Sequence, residues 1–547
     1  MSAVSQRVSV LSASRPSSAP RRAGPFGGLA LAALLLLLAG PLRAQAFIHV
    51  PGDEPTIQDA IFQASDGDFI DVAAGSYPEA IDFFGLSITV RSLDGAGVTT
   101  IDATGLGQAA VRIAGTGPGT VLEGFTIRGG DGTGGLGWGG GLEIDGATVL
   151  VKDCVIANNV AESGGGVAVF SGSDADFEGC TIRGNQASFG GAGAYVNNAT
   201  ATFTDCVIRK NTTAGSGGGL NVNFSGTAVL TGCRILKNTA GNSGGGVQVI
   251  AGFSGSATLT GCSLEENTAA QAGGLGLNGS TATIDDCDFL NNEATSFSTT
   301  SGGGLQAQGT GVLDVDDSRF TGNRGTSGGG LQLISFLGTA TITGCDFAEN
   351  VATSGGGGLY CSSSSTATLS GCSFSNNQAL FGGAVQNSAG NNLAIGTTMT
   401  CGNTPDHISG TFLDQFGNTT IPICNGWTDL GYAHAGSNGV PRLEGTGILS
   451  VGQPGALTLS DARPAALVVL FVSFNNLPTP FFNGTLVPVP PQLEVSLFTD
   501  GGGNLDLPFV WPSGVPTGFD IYQQFGIDDP GALGGVALSN ALKSESL

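Results

Sequence analysis

The chain has 547 residues, 94 of them glycine, a formal charge of −24 and 40% hydrophobic residues. That length is too great for one compact core, the hydrophobic content is too high for disorder, and the glycines follow no three-residue period, which excludes collagen. The acidic balance disfavours nucleic acid and anionic membranes as partners.

Residues 1–46 read as a signal peptide. Arg7, Arg15, Arg21 and Arg22 precede an apolar run from Leu29 to Ala39, and Ala44-Gln45-Ala46 offers a small-x-small cleavage site. Losing this segment removes five arginines and no acids, so the charge falls from −24 to −29. The expected location is secreted or on the cell surface.

From Phe47 the chain begins a cap of about 47–80. Thr56 is placed to cap a short helix whose apolar positions are Ile57, Ala60, Ile61 and Ala64. A strand at Phe69-Ile70-Asp71-Val72 and a turn at Gly75–Glu79 follow. This opening resembles that of right-handed parallel β-helix proteins of the pectate-lyase-like superfamily, where a small amphipathic helix plugs the first coil.

Early coils carry no cysteine, and Leu122–Ile127 sets the frame of what comes next. Nine times the chain then writes cysteine, with serine standing in once, any residue, an aliphatic or Phe, two residues, asparagine. The copies start at Cys154, Cys180, Cys206, Cys233, Cys262, Cys287, Ser318, Cys345 and Cys372. They end at Asn159, Asn185, Asn211, Asn238, Asn267, Asn292, Asn323, Asn350 and Asn377. A period of 25 to 31 residues means a solenoid. Within one copy, alternation points Ala257 and Leu259 inward on one strand, Cys262 and Leu264 inward on the next, and Gly273-Gly274-Leu275 opens a third. Three strands per coil predict a three-sheet parallel β-helix over 47–425, in about twelve coils and roughly 55–60 Å long at ~4.8 Å per strand.

Phe374-Ser375-Asn376-Asn377 followed by Phe381-Gly382-Gly383-Ala384-Val385 resembles the repeats of the polymorphic outer-membrane protein family, over roughly residues 120–390. The resemblance implies an exposed, often adhesive passenger. The segment after the repeats is too short for that family's membrane barrel. From Trp427 the composition changes to proline-rich short strands, which predicts an antiparallel β-sandwich over 426–547. It looks like a C-terminal module of secreted bacterial repeat proteins.

Each candidate for chemistry has a plainer structural counterpart. The cysteine column contains no C-x-x-C pair and accepts Phe125 and Ser318, so it reads as core filling. The asparagine column reads as an amide ladder. Cys401 and Cys424 lie outside the period and are expected to form a disulfide, and Cys361 is off the ladder. The repeat alignment stacks Asp285 over Asp316 and Asp286 over Asp317; four carboxylates that close fit Ca²⁺ or an acid–base pair, against a solvated acidic turn. Arg128, Arg183 and Arg209 share one column that would grip uronates or face solvent. Phe170, Tyr195, Phe224, Phe253, Phe336 and Tyr360 recur at the coil period, to stack on sugars or to pack loops. His49, His407 and His434 all lie outside the repeats.

The combined expectation is an exported, non-enzymatic β-helix that binds polysaccharide or another surface by many weak contacts. The alternative is a polysaccharide lyase or glycoside hydrolase of the same superfamily.

Overall fold

The computed structural model describes residues 44–545, apart from 135–136, 251–254, 297–300, 389, 405–406, 416–418, 422–426, 448, 450 and 517–518. The expected signal peptide and cleavage site therefore fall largely outside the described residues.

Each coil of the rod makes its turns where the sequence supplies residues that tolerate positive φ. In one coil the strands are Thr227–Thr231, Arg234–Leu236, Thr239–Ala240 and Val247–Ile250. Gly232 and Lys237, at the two bends around Arg234–Leu236, both sit at positive φ. The equivalent first bend is Asp153, Gly179, Asp205, Gly261, Asp286, Asp317 and Gly344 in other coils, all at positive φ. Asp and Gly are the residue types for which that conformation costs least.

Stacked coils give parallel sheets. Among the described residues the first sheet has fifteen strands, from Phe47–Val50 to Leu413–Asp414, and the second fourteen, from Gly75–Tyr77 to Thr419–Ile421. The sheet whose repeat-coil strands follow the glycine-rich corner has thirteen strands. These are the three expected sheets. The polar segment between the asparagine and the glycine triplet adds a further, narrower ladder of nine strands.

The glycine triplet follows from the closeness of successive coils at that corner. A Cβ on Gly217, which has φ +70°, would lie 2.6 Å from Asn221 Cβ. One on Gly219 would lie 2.5 Å from Gly246 O in the next coil and 3.0 Å from Ile235 Cγ2. In this coil neither glycine has room for a side chain, while other coils take Ala192, Ala272 or Ala384 at the corner.

The core is one continuous file from Val50 to Ile395. Its aliphatic column becomes aromatic in later coils: Phe289, Phe320, Phe347 and Phe374 stack with ring centroids 4.5, 4.7 and 4.6 Å apart. Thr56 Oγ1 accepts from Asp59 N at the head of the helix Ile57–Gln63, and Ile57, Ala60 and Ile61 face the first coil. This covers apolar side chains that an open first coil would expose.

The C-terminal region is antiparallel. A six-stranded sheet that includes Leu467–Ser473 and Asp520–Asp528 shares one apolar core with a three-stranded sheet of Arg442–Gly447, Pro454–Ser460 and Leu505–Val510. Leu443, Leu457 and Leu459 meet Val468, Phe525 and Ile527 in that core, which is a β-sandwich.

Candidate functional site

The asparagine column is a hydrogen-bonded ladder at the bend after the second sheet. Asn185 donates its backbone N–H and its Nδ2 to Asn211 Oδ1, at 3.0 and 3.1 Å. Its Nδ2 also donates to Ile156 O of the preceding coil at 3.0 Å. The pattern repeats from Asn159 to Asn377, every member fully buried. It goes one rung further than the sequence reading, because Asn377 donates N–H and Nδ2 to Asn403 Oδ1, both at 2.9 Å. Every amide is consumed by the fold, so the column presents nothing to a glycan.

The cysteine column is equally internal. Cys180, Cys206, Cys233, Cys262, Cys345 and Cys372 each point Sγ at a carbonyl of the coil before, from 3.2 to 3.5 Å. Ser318 takes the same place, donating to Asp316 O and accepting from Cys287 N. Burial pushes the Cys154 thiol up to about 12, and the Cys361 thiol likewise. Neutral, buried thiols of this kind are neither nucleophiles nor ligands. Cys424 lies outside the described residues, so its pairing with Cys401 is carried forward as a proposal.

The acidic cluster is stacked as the repeat alignment places it. Asp285 and Asp316 are direct register partners, and Asp286 N–H donates to Asp316 O at 3.3 Å. The carboxylates nevertheless do not gather. They project outward, and Asp317 leans over Gly344 of the next coil, where a Cβ would collide with it. Among the described residues no three His, Cys, Asp or Glu side chains converge on one point, and the expected Ca²⁺ site at Asp285, Asp286, Asp316 and Asp317 rests on the stacking alone.

The arginine column is interrupted rather than continuous. Ala157 separates Arg128 from Arg183 and Arg209, and Arg128 is paired with Asp102 at 2.8 Å. The expected aromatic row mostly packs. Phe170, Tyr195 and Phe336 are buried; Trp138 meets Phe170 edge-on at 4.7 Å, and Tyr195 Oη accepts from Asn197 and Asn223. Phe224 alone among Phe170, Tyr195, Phe224 and Phe336 is exposed, and Phe253 lies outside the described residues.

Two surfaces were not anticipated. On the first sheet threonine is the commonest outward residue of the repeat coils: Thr200, Thr202 and Thr204 fill one coil, Thr339, Thr341 and Thr343 another, and Thr258 stands among Ser256 and Thr260 between them. Strand pairing runs without a register shift from Asp174–Glu178 to Asn392–Gly396, so these residues form straight rows. An acidic coil carrying Asp314 and Asp316 divides them.

The second surface is a cleft beside the cap helix, lined by Gln58, Phe62, Asp82, Phe84, Arg112 and Glu143 among others. Asp82, Arg112 and Glu143 occupy one column of three successive strands. Arg112 Nη1 lies 3.0 Å from Asp82 Oδ2, and its Nε lies 3.2 Å from Glu143 Oε1. Burial raises the Glu143 carboxyl above its usual range, with the guanidinium opposing that shift. Asp82 is fixed from behind, its N–H donating to Gln58 Oε1 at 2.7 Å.

Residues 140–307 match the family model of the right handed beta helix region. The rod is a right-handed parallel β-helix. Residues 344–362 match the model of the Chlamydia polymorphic membrane protein repeat, a stretch holding Phe347, Asn350 and the glycines 355–358 of one coil. No curated protein matches. Among solved structures, the chain is similar to the enzymatically active domain of bacteriophage CBA120 tailspike protein 2, at 12% identity, 92% of this chain, 77% of that one and TM-score 0.29. It is also similar to pectate lyase Pel9A (13% identity, 64% and 79%, 0.29) and to pectin methylesterase from carrot (14%, 55% and 84%, 0.27).

Proposed function

We propose that this chain is an exported, non-enzymatic β-helix protein of the cell surface or extracellular space that holds polysaccharide along its flank. The observation that carries the reading is the threonine face of the first sheet. Its rows repeat every ~4.8 Å along the rod and every ~6.6 Å along each strand, and each threonine in them offers a methyl and a hydroxyl. Hydroxyls of this kind both donate and accept, as sugar hydroxyls do, and their methyls suit the apolar faces of sugar rings. A single contact of this sort is weak, and a long row of them gains by multivalency. The charge of −24 favours neutral chains over polyuronates.

Export follows from the arginine-led apolar segment and its Ala44-Gln45-Ala46 site. A Cys401–Cys424 disulfide belongs with that location, and tryptic mapping under non-reducing conditions checks it. The reading is tested by cell fractionation together with retention on immobilised polysaccharides. Retention that weakens when Thr202, Thr258 and Thr341 are changed to Glu supports it; release of oligosaccharides from the retained polymer contradicts the non-enzymatic part.

A further inference from the structure

The cleft beside the cap helix carries two phenyl rings in water that lie against each other. Phe62 is 63% exposed and Phe84 59% exposed, yet they are stacked on each other, with centroids 5.3 Å apart and planes 26° from parallel. Phe62 comes from the helix Ile57–Gln63, and Phe84 from the turn after the strand Ile81–Asp82. Neither ring is needed to seal the core: Ile57, Ala60, Ile61 and Phe83 are the buried partners there. An exposed apolar pair rimmed by polar groups costs solvation and marks a ligand surface.

The polar side of the cleft is equally built. The ion pairs to Asp82 and Glu143 fix the Arg112 guanidinium in place, and they use only two of its five N–H groups. Glu143 keeps Oε2 as an acceptor, and its side chain is only 20% exposed. Donors and acceptors therefore stand together, held by a helix and three strands, beside a flat apolar wall. With two carboxylates against one guanidinium the cleft is net negative, which disfavours a uronate.

We propose that this cleft binds one neutral pyranose unit of a polysaccharide, its apolar face on Phe62 and Phe84 and its hydroxyls on Arg112 and Glu143. The ring stack supplies an aromatic platform. The fixed guanidinium and carboxylate supply orientation, as the few polar groups of a sugar pocket do. The site is independent of the threonine face, and either can fail alone.

The test is calorimetric titration of the full chain with neutral hexasaccharides of glucose, mannose and galactose, beside hexasaccharides of galacturonate and of glucosamine. At least one neutral sugar is expected to saturate a single site. The F62A/F84A double variant should weaken it by about tenfold or more. Because both rings are exposed, its thermal midpoint should match that of the parent. R112K should weaken binding too, by losing the geometry while keeping the charge. The proposal is overturned if no neutral hexasaccharide binds, if a charged one binds more tightly, if F62A/F84A binds unchanged, or if the bound sugar is cleaved.

Discussion

Asn267 Oδ1 accepts two hydrogen bonds from Asn238 of the coil before, one from its backbone N–H and one from its Nδ2, each at 3.0 Å. Asn238 Nδ2 in turn donates to Ile208 O at 2.9 Å. Asn267 Nδ2 likewise donates to Ile235 O at 2.8 Å, so its one side chain satisfies both a bend donor and a main-chain carbonyl. Asn267→Ala leaves at least two buried groups without partners, at about 1–3 kcal/mol each. Chemical denaturation should show a loss of about 2–5 kcal/mol, and Asn267→Asp should not rescue it, because a buried carboxylate lacks the Nδ2 donor.

The cysteine column should behave as packing. Cys287→Ser is expected to cost less than about 2 kcal/mol, since Ser318 already fills the next rung with its hydroxyl bonded both ways. Cys154 and Cys361, both held up at about 12, should resist iodoacetamide at pH 8 in the native protein and react fully in guanidinium.

Around Gly219 the coils leave no volume for a side chain. Gly219→Ala drives a Cβ to 2.5 Å from Gly246 O, so a loss of about 3 kcal/mol or more, or failure to fold, is the expected outcome. Gly261→Ala is the control: nothing lies within 4 Å, and only its φ of +59° is penalised, at about 1–2 kcal/mol. Thermal melts of the pair separate clash from backbone strain.

Much of this frame was legible in the sequence, because a solenoid writes its contacts at a fixed period. Ala257, Leu259, Cys262 and Leu264 point inward as alternation requires, and Asp285 meets Asp316 across the expected coil. The tenth ladder rung was hidden by polar substitution. Thr398 stands in the cysteine place and Thr400 in the aliphatic place, both buried, before Asn403. The cap cleft was hidden for another reason: Asp82, Arg112 and Glu143 lie in coils of unequal length before the repeat begins. Only aligning Ile81-Asp82, Val111-Arg112 and Leu142-Glu143 brings them into one column. The threonine face was written openly in stretches such as Thr200-Ala201-Thr202-Phe203-Thr204, but reading inward positions alone passes over it.

The acidic stack sets like charges side by side, Asp285 opposite Asp316. Like charges directly opposite on paired strands destabilise a sheet. Asp285→Asn should therefore stabilise by about 0.2–1 kcal/mol at low salt, with a smaller gain at high salt. Calorimetry with Ca²⁺ should register no binding heat; a saturable exotherm lost in D285N would restore a metal site there.

At low pH the early coils should loosen first. Asp102 is held below its usual range chiefly by the Thr104 hydroxyl, with Arg128 adding to it, and Asp131 is held likewise by Thr133. A folded pKa below the unfolded one means that this stability is present above about pH 4 and is lost as pH falls through the folded values. The thermal midpoint should drop below pH 4, by an amount worth less than about 1 kcal/mol per pair, and D102N should flatten that dependence.

The measurement that bears most directly on the central claim is retention of the full chain on immobilised neutral polysaccharides, compared with T202E/T258E/T341E. The account predicts that the parent is retained with no soluble sugar released, and that the variant elutes early with its fold intact. Equal retention of parent and variant, or release of oligosaccharides by the parent, would contradict it.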